Sequence, residues 1–375
     1  MAWTAIGVSA LLLTASWHSN HYGYFGRAGQ FAFYNDRLAK AEHLAALDPG
    51  LLADAYVIGS SNTMPFLPAD VQKHFGLGAF NLGTFWGRAE ESWAWSNFLL
   101  RDLKRPPKLV IFGVEPWTFA SDDRGPPLMS MYRRTLLTTP QLVPYLPHYH
   151  PLKSRASQVL DSLTIENARL TGRMYSRYGG HRAVPGPMAS GGFRSDGANE
   201  AYSKLVGKPF LPAHVNDFYK SFVASGPTDE MIETLSEDRK RLAEAWHLRL
   251  DEIVNFLPGD RMLTERLELF EKTLAMLNAK GVAVAIMIMP THPYYFDMLM
   301  RYTRHGEHLK RLRLFLDNMA LKYPNIEVVF DASNIARFDG DPFAFHDHYH
   351  MTPVNTDKVL AAMRAERDKR RGVRP

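Results

Sequence analysis

No cysteine occurs anywhere in the 375 residues. A disulfide scaffold, a thiol nucleophile and a thiolate metal site are therefore excluded, while the compartment stays open. Charge of either sign is missing from Ala2 to Trp17, AWTAIGVSALLLTASW, and no Lys or Arg precedes that run. There is no internal repeat and no compositional bias. With 46% hydrophobic and 22% charged residues the chain reads as globular, which argues against wholesale disorder, collagen or a multi-span membrane protein. Its length suits one large domain carrying an insertion, or two domains.

A concentrated basic stripe is also lacking. The formal charge is +5, but the one dense cluster is the tail from Arg364 to Arg374, where Glu366 and Asp368 interrupt it. A solvated helix end is the simpler reading of that tail, and contact with an anionic polymer or lipid headgroups is its rival. No nucleic-acid partner is expected.

The uncharged N-terminal run is short beside the roughly 20 apolar residues that a bilayer span needs, and acceptable for a signal-peptide core. Export signals carry a positive leading region, which is not seen before Ala2. We expect an export signal or a weakly oriented anchor, with membrane contact through the N-terminus; the competing reading is a buried core helix.

Beyond it the chain alternates between strand and helix patterns. Short apolar runs end in turns at Ala53 to Ile58, Ala79 to Leu82 and Lys108 to Phe112. Arg88 to Leu103 has helical spacing, closed by Pro106 and Pro107. Between about Thr118 and Asp260 the alternation fails: Arg177 to Gly197 resembles a long loop, and Asp229 to Phe256 is charged and helical in character. It resumes with a helix over Leu263 to Asn278, a strand over Val282 to Met289, a helix over His308 to Leu321, a strand over Ile326 to Phe330 and a closing helix over Pro353 to Arg364. The expected fold is α/β: a doubly wound parallel sheet of about five strands, with a large, mostly helical insertion after the third. The expected parts are residues 1–22, signal or anchor; 23–117, first α/β part; 118–260, insertion or cap; 261–366, second α/β part; and 367–375, basic tail.

Ligands in such sheets sit at the carboxyl ends of the strands. After the first strand stands Gly59-Ser60-Ser61-Asn62, which can display a hydroxyl nucleophile if a base is supplied. After the last comes FHDHYHMTP, in which Asp347 and His350 are three residues apart before a helix. The carboxylate would orient the imidazole and stabilise the imidazolium formed as the serine loses its proton.

In this order the motifs resemble the SGNH (GDSL-type) hydrolase superfamily, over about Asp54 to Leu103, Lys108 to Phe119 and Leu263 to Met363. Gly59-Ser60-Ser61 is similar to the family's first block with Ser in place of Asp, as in an envelope branch that includes alginate-acetylation and teichoic-acid D-alanylation proteins. The resemblance implies Ser61 as nucleophile, Asp347 and His350 as its partners, and an oxyanion hole drawn from Gly83 or Gly87, in Asn81-Leu82-Gly83 and beyond. The family's third block is Gly-x-Asn-Asp. Here Gly113-Val114-Glu115-Pro116 places a glutamate where the asparagine would be, and an ionised carboxylate repels an oxyanion. Either Asn62 or a backbone amide substitutes as donor, or the hole is weaker and the activity specialised. Glu115, Trp86, Trp117 and His292 are the expected substrate-binding residues, and Tyr294 and Tyr295 stand near them; for the aromatics, packing is the alternative to stacking on sugars.

The resemblance implies a serine-dependent O-acyltransferase or esterase, periplasmic or otherwise extracytoplasmic and N-terminally anchored. Its partner would be a surface polysaccharide or another acyl-acceptor glycan, beside a membrane-bound acyltransferase. No cofactor is called for and no metal is assigned. Two rivals stand against it: a zinc site built from His346, His348, His350 and His292 beside Asp347, and an SGNH-fold binding or scaffold component that has lost the reaction.

Overall fold

The computed structural model describes residues 2–19, 24, 35–84, 86–120, 136–147, 149–164, 168–169, 172, 262–342, 344–345 and 349–372. Its elements are α1 (Ala2–Ser19), α2 (Asp36–Ala46), β1 (Ala55–Ile58), α3 (Pro68–Phe75), β2 (Ala79–Asn81), α4 (Ala89–Arg101), β3 (Leu109–Val114) and α5 (Pro151–Ser162). They continue with α6 (Thr264–Ala279), β4 (Ala283–Ile288), α7 (Pro293–Tyr302), α8 (His305–Lys322), β5 (Ile326–Asp331) and α9 (Pro353–Arg370). The chain divides into two compact units: Met1–Leu52, Thr84–Pro106 and Asp122–Phe193; and Ala53–Gly83, Pro107–Ser121 and Arg194–Pro375.

The second unit holds a five-stranded sheet in the order β2-β1-β3-β4-β5, parallel throughout. The central strands AYVI and LVIFGV are buried at every residue, as expected where helices cover both faces of a parallel sheet. The edge strand β5 alternates buried and half-buried residues instead. Successive side chains point to opposite faces. Ala55, Val57, Leu109, Ile111 and Met287 therefore pack on one side with Val71 and Phe75 of α3 and Val359, Leu360 and Met363 of α9. On the other side Phe112 meets Phe270 of α6 edge-on at 5.1 Å, and Phe270 in turn contacts Phe119 and Phe315 of α8. The expected doubly wound parallel sheet is thus present.

Several short helices were not anticipated from the pattern. In α3, PADVQKHF, the buried side chains include only two large apolar ones, Val71 and Phe75, too few to set a period. The closing helix α9 runs past its expected end because its basic residues have partners: the Arg367 guanidinium lies 4.8 Å over the Phe75 ring, and Arg371 pairs with Glu327. Of the expected insertion, α5 and short turns are described; Arg177 to Gly197 and Asp229 to Phe256 lie outside the described residues.

The first unit contains α1, α2, α4 and α5. Asn35 caps α2 by accepting from the amides of Arg37 and Leu38. Arg37, itself buried, pairs with Asp36 and with Glu91 of α4, and Thr84 donates to the same Glu91 oxygen as Arg37. No helix among the described residues is long and apolar enough to cross a membrane.

Candidate functional site

The strand order turns back at β1. From β1 the chain goes to β2 on one side and later to β3 on the other, so the loops after β1 and β3 diverge and leave a crevice at their carboxyl ends. Gly59-Ser60-Ser61-Asn62 follows β1, and Glu115 follows β3.

The turn after β1 is built around Thr63. Its side chain is fully buried, and its hydroxyl donates to the Ser60 carbonyl at 2.7 Å. A Cβ on Gly59, Gly83 or Gly113 would collide with that side chain. The three glycines thus have a packing reason to be there, independent of any chemistry. Ser60 caps the short turn Ser61–Thr63 by accepting from the Asn62 amide at 3.2 Å.

The two serines have different surroundings. Ser60 is buried and donates to Glu115 Oε1 at 2.9 Å. Ser61 is half-buried, and its Oγ lies 2.8 Å from His350 Nε2. These two residues are 289 positions apart in the chain. With Nε2 unprotonated, the Ser61 hydroxyl donates to it, which is the contact that a general base needs.

His350 sits on a loop closed by a bridge between Phe345 and Met351. Helix α7 steadies this loop twice. Tyr295, fully buried, has its hydroxyl 2.7 Å from that of Tyr349 with the rings packed edge to face, and His292 packs edge-on against Phe345 at 5.4 Å. Tyr295 is thus a packing residue, not a free sugar-stacking surface. Asp347, His346 and His348 lie outside the described residues, as does the Tyr294 side chain. The zinc reading therefore keeps only two of its expected ligands in view, His350 on Ser61 and His292 on Phe345.

Glu115 faces inward. Its carboxylate is 2% exposed, with Oε1 accepting from Ser60 and, at 2.6 Å, from Asn62 Nδ2, and Oε2 accepting from the Thr118 hydroxyl at 3.1 Å. Its own amide donates to the same Thr118 oxygen, capping the turn Pro116–Phe119. Burial pushes the carboxyl up to about 7, while the donors from Ser60, Asn62 and Thr118 and the charge of His350 work against that rise.

The expected oxyanion donors are partly committed. The Gly83 amide donates to Asn81 Oδ1 at 2.7 Å, and the Gly87 amide to the Thr84 carbonyl at 3.2 Å. Asn62 spends one N–H on Glu115 and keeps the other. Its Oδ1, like Thr291 Oγ1 beyond β4, is buried without a hydrogen-bond partner among the described residues. Gly87 and Trp86 belong to the first unit, where Trp86 holds a left-handed φ of 59° that is strained for a bulky side chain. Trp117 is half-buried in the turn Pro116–Phe119.

Thr63, Thr118, Tyr295 and Tyr349 acquire roles here that the pattern did not assign. A Thr three residues after Glu115 was the one local signal available, since that spacing suits a reciprocal turn cap. No family model matches the chain, and no curated protein matches it significantly.

Proposed function

We propose that the chain is an SGNH-like serine acyl-ester enzyme of the cell envelope, transferring or removing O-acyl groups, such as acetyl, on a surface polysaccharide. The observation that carries this reading is the 2.8 Å contact between Ser61 and His350 at the carboxyl edge of a parallel sheet. Ser61 Oγ attacks the acyl carbonyl as His350 Nε2 takes its proton. Collapse of the tetrahedral adduct breaks the ester C–O bond, and His350 returns the proton to the departing alkoxide. Water or a sugar hydroxyl then attacks the acyl-serine as His350 takes its proton, the acyl C–Oγ bond breaks, and His350 returns the proton to Ser61 Oγ. Asp347 is assigned to orient the imidazole. The second Asn62 N–H is assigned to the oxyanion.

The bound amides of Gly83 and Gly87 favour a second reading, a glycan-binding component with little or no turnover. Intact-mass measurement after incubation with an activated acetyl ester separates the two. The enzyme reading expects one acetyl adduct on Ser61, absent from Ser61→Ala, and near-complete loss of chromogenic ester hydrolysis in both Ser61→Ala and His350→Ala, because the two act as a unit. No adduct, with full glycan binding in Ser61→Ala, would assign the binding role.

A further inference from the structure

The carboxyl of Glu115 reaches both chain neighbours of the proposed nucleophile. Ser60 and Asn62 flank Ser61, and their side chains donate to the same oxygen, Oε1, at 2.9 and 2.6 Å. Both lone pairs of that oxygen are thereby used. The other oxygen, Oε2, takes one donor, the Thr118 hydroxyl at 3.1 Å, and keeps a site where a proton can sit.

The two oxygens differ in what they can exchange. Asn62 Nδ2 can only donate, so in this arrangement Oε1 stays an acceptor. A hydroxyl donates and accepts, so the Thr118 contact works in either direction: Thr118 donates to an ionised Oε2 or accepts from a protonated one. A proton on Oε2 therefore removes the charge and leaves both bonds to the turn of Ser61 in place.

The surroundings favour that proton. Glu115 is buried, and among the described residues no Lys or Arg bonds to it, which makes its ionised form costly. The turn after β1 presents the uncharged Ser60 and Asn62, and its own turn the uncharged Thr118; the charge that bears on it among the described residues is that of His350, from the loop before α9. Burial outweighs all four and holds the carboxyl up at about 7. An oxyanion held by the second Asn62 N–H has Glu115 on the other N–H of the same amide, and its like charge raises the carboxyl further.

We propose that Glu115 is a positioning residue that works as a neutral carboxylic acid, with Oε2–H donating to Thr118 Oγ1 while Oε1 holds Ser60 and Asn62 on either side of the nucleophile. Loss of that proton leaves a buried negative charge behind the amide that faces the oxyanion, and turnover falls as pH rises. The inference rests on the acyl-enzyme reading of Ser61 and adds a protonation state to it.

The test is the pH dependence of kcat/KM on a chromogenic acetyl ester, for the unsubstituted chain and for Glu115→Gln. A Gln side chain accepts at Oε1 and donates from Nε2, as the neutral acid does. The ratio of the Gln variant to the unsubstituted chain should rise about tenfold between about pH 6 and about pH 8, because only the unsubstituted chain loses its neutral form. A purely structural Glu115 gives a ratio that does not vary with pH, and a Glu115 that works as an anion beside the imidazolium gives one that falls; either overturns the proposal. Infrared difference spectra read the proton itself. A carboxylic C=O band that fades over the same pH range and is missing from Glu115→Gln supports the proposal, and no such band overturns it. If the Gln variant does not fold, the unsubstituted chain decides: kcat/KM that does not fall above about pH 7 overturns the proposal. Intact mass after incubation with an activated acetyl ester keeps the two levels apart. An adduct on Ser61 with a flat or falling ratio removes this proposal alone, whereas no adduct removes the acyl-enzyme reading and this proposal with it.

Discussion

Glu91 at the start of α4 and Glu115 at the end of β3 are equally buried, at 2% exposed, yet they are held by opposite means. Glu91 has the Arg37 guanidinium against it, within a group where Asp36 and Glu91 stand against Arg37 and Lys40. Glu115 has uncharged donors, Ser60, Asn62 and Thr118. Burial raises both carboxyls; the Arg37 guanidinium works against that rise at Glu91, and at Glu115, which reaches about 7, the hydrogen bonds and the charge of His350 do. The comparison teaches that equal burial can be met in two ways, by a directly bonded cation or by uncharged hydrogen-bond donors, so that cutting each support has a different consequence. The second kind stands beside the proposed nucleophile.

The largest effect is expected where the ion pair is cut. Arg37→Met leaves Glu91 buried and unpaired, and should cost about 3 to 5 kcal/mol in denaturant unfolding. Adding Glu91→Leu should recover most of that loss. A double variant as unstable as the single one would mean that the charges themselves, not their pairing, hold α2 and α4 together.

Glu115 should show its difference through pH. A carboxyl raised in the folded state binds its proton more tightly there than in the unfolded chain, so stability is highest below the unfolded value of 4.5 and falls as pH rises towards about 7. The loss amounts to about 3 kcal/mol, and Glu115→Gln, which still accepts from Ser60 and Asn62, should abolish it. A Gln variant with an unchanged pH profile of stability would put the titration elsewhere.

Ser60→Ala removes one donor to Glu115 and should cost about 1 to 3 kcal/mol, with the Glu115 carboxyl moved further up. It should keep ester hydrolysis measurable; complete loss of activity at retained stability would make Ser60, not Ser61, the nucleophile. The smallest change is expected at the surface. Lys73 pairs with Asp357 at 2.8 Å, but the Lys73 side chain is 58% exposed, so Lys73→Ala should alter stability by less than about 1 kcal/mol.

The two loops that bring Ser61 to His350 were legible because their signals are local: the small-residue turn after β1 and the loop before α9 sit at the ends of elements whose periods can be counted. Glu115 was visible as a departure from a pattern, but its contacts were not. Whether a glutamate faces a reacting carbonyl or caps its own turn depends on side chains 53 and 55 residues away as well as three.

The sequence by itself determined the α/β class, the five strands and the two loops that carry Ser61 and His350, since apolar runs, helical spacing and Gly or Pro stops act over neighbouring residues. Only the tertiary structure decided which serine faces the histidine, what occupies Glu115 and which charges lie buried around Glu91. Each of these depends on which distant side chain arrives to satisfy a buried polar group. The cost of leaving such a group unmet is settled in three dimensions, and no local pattern records it.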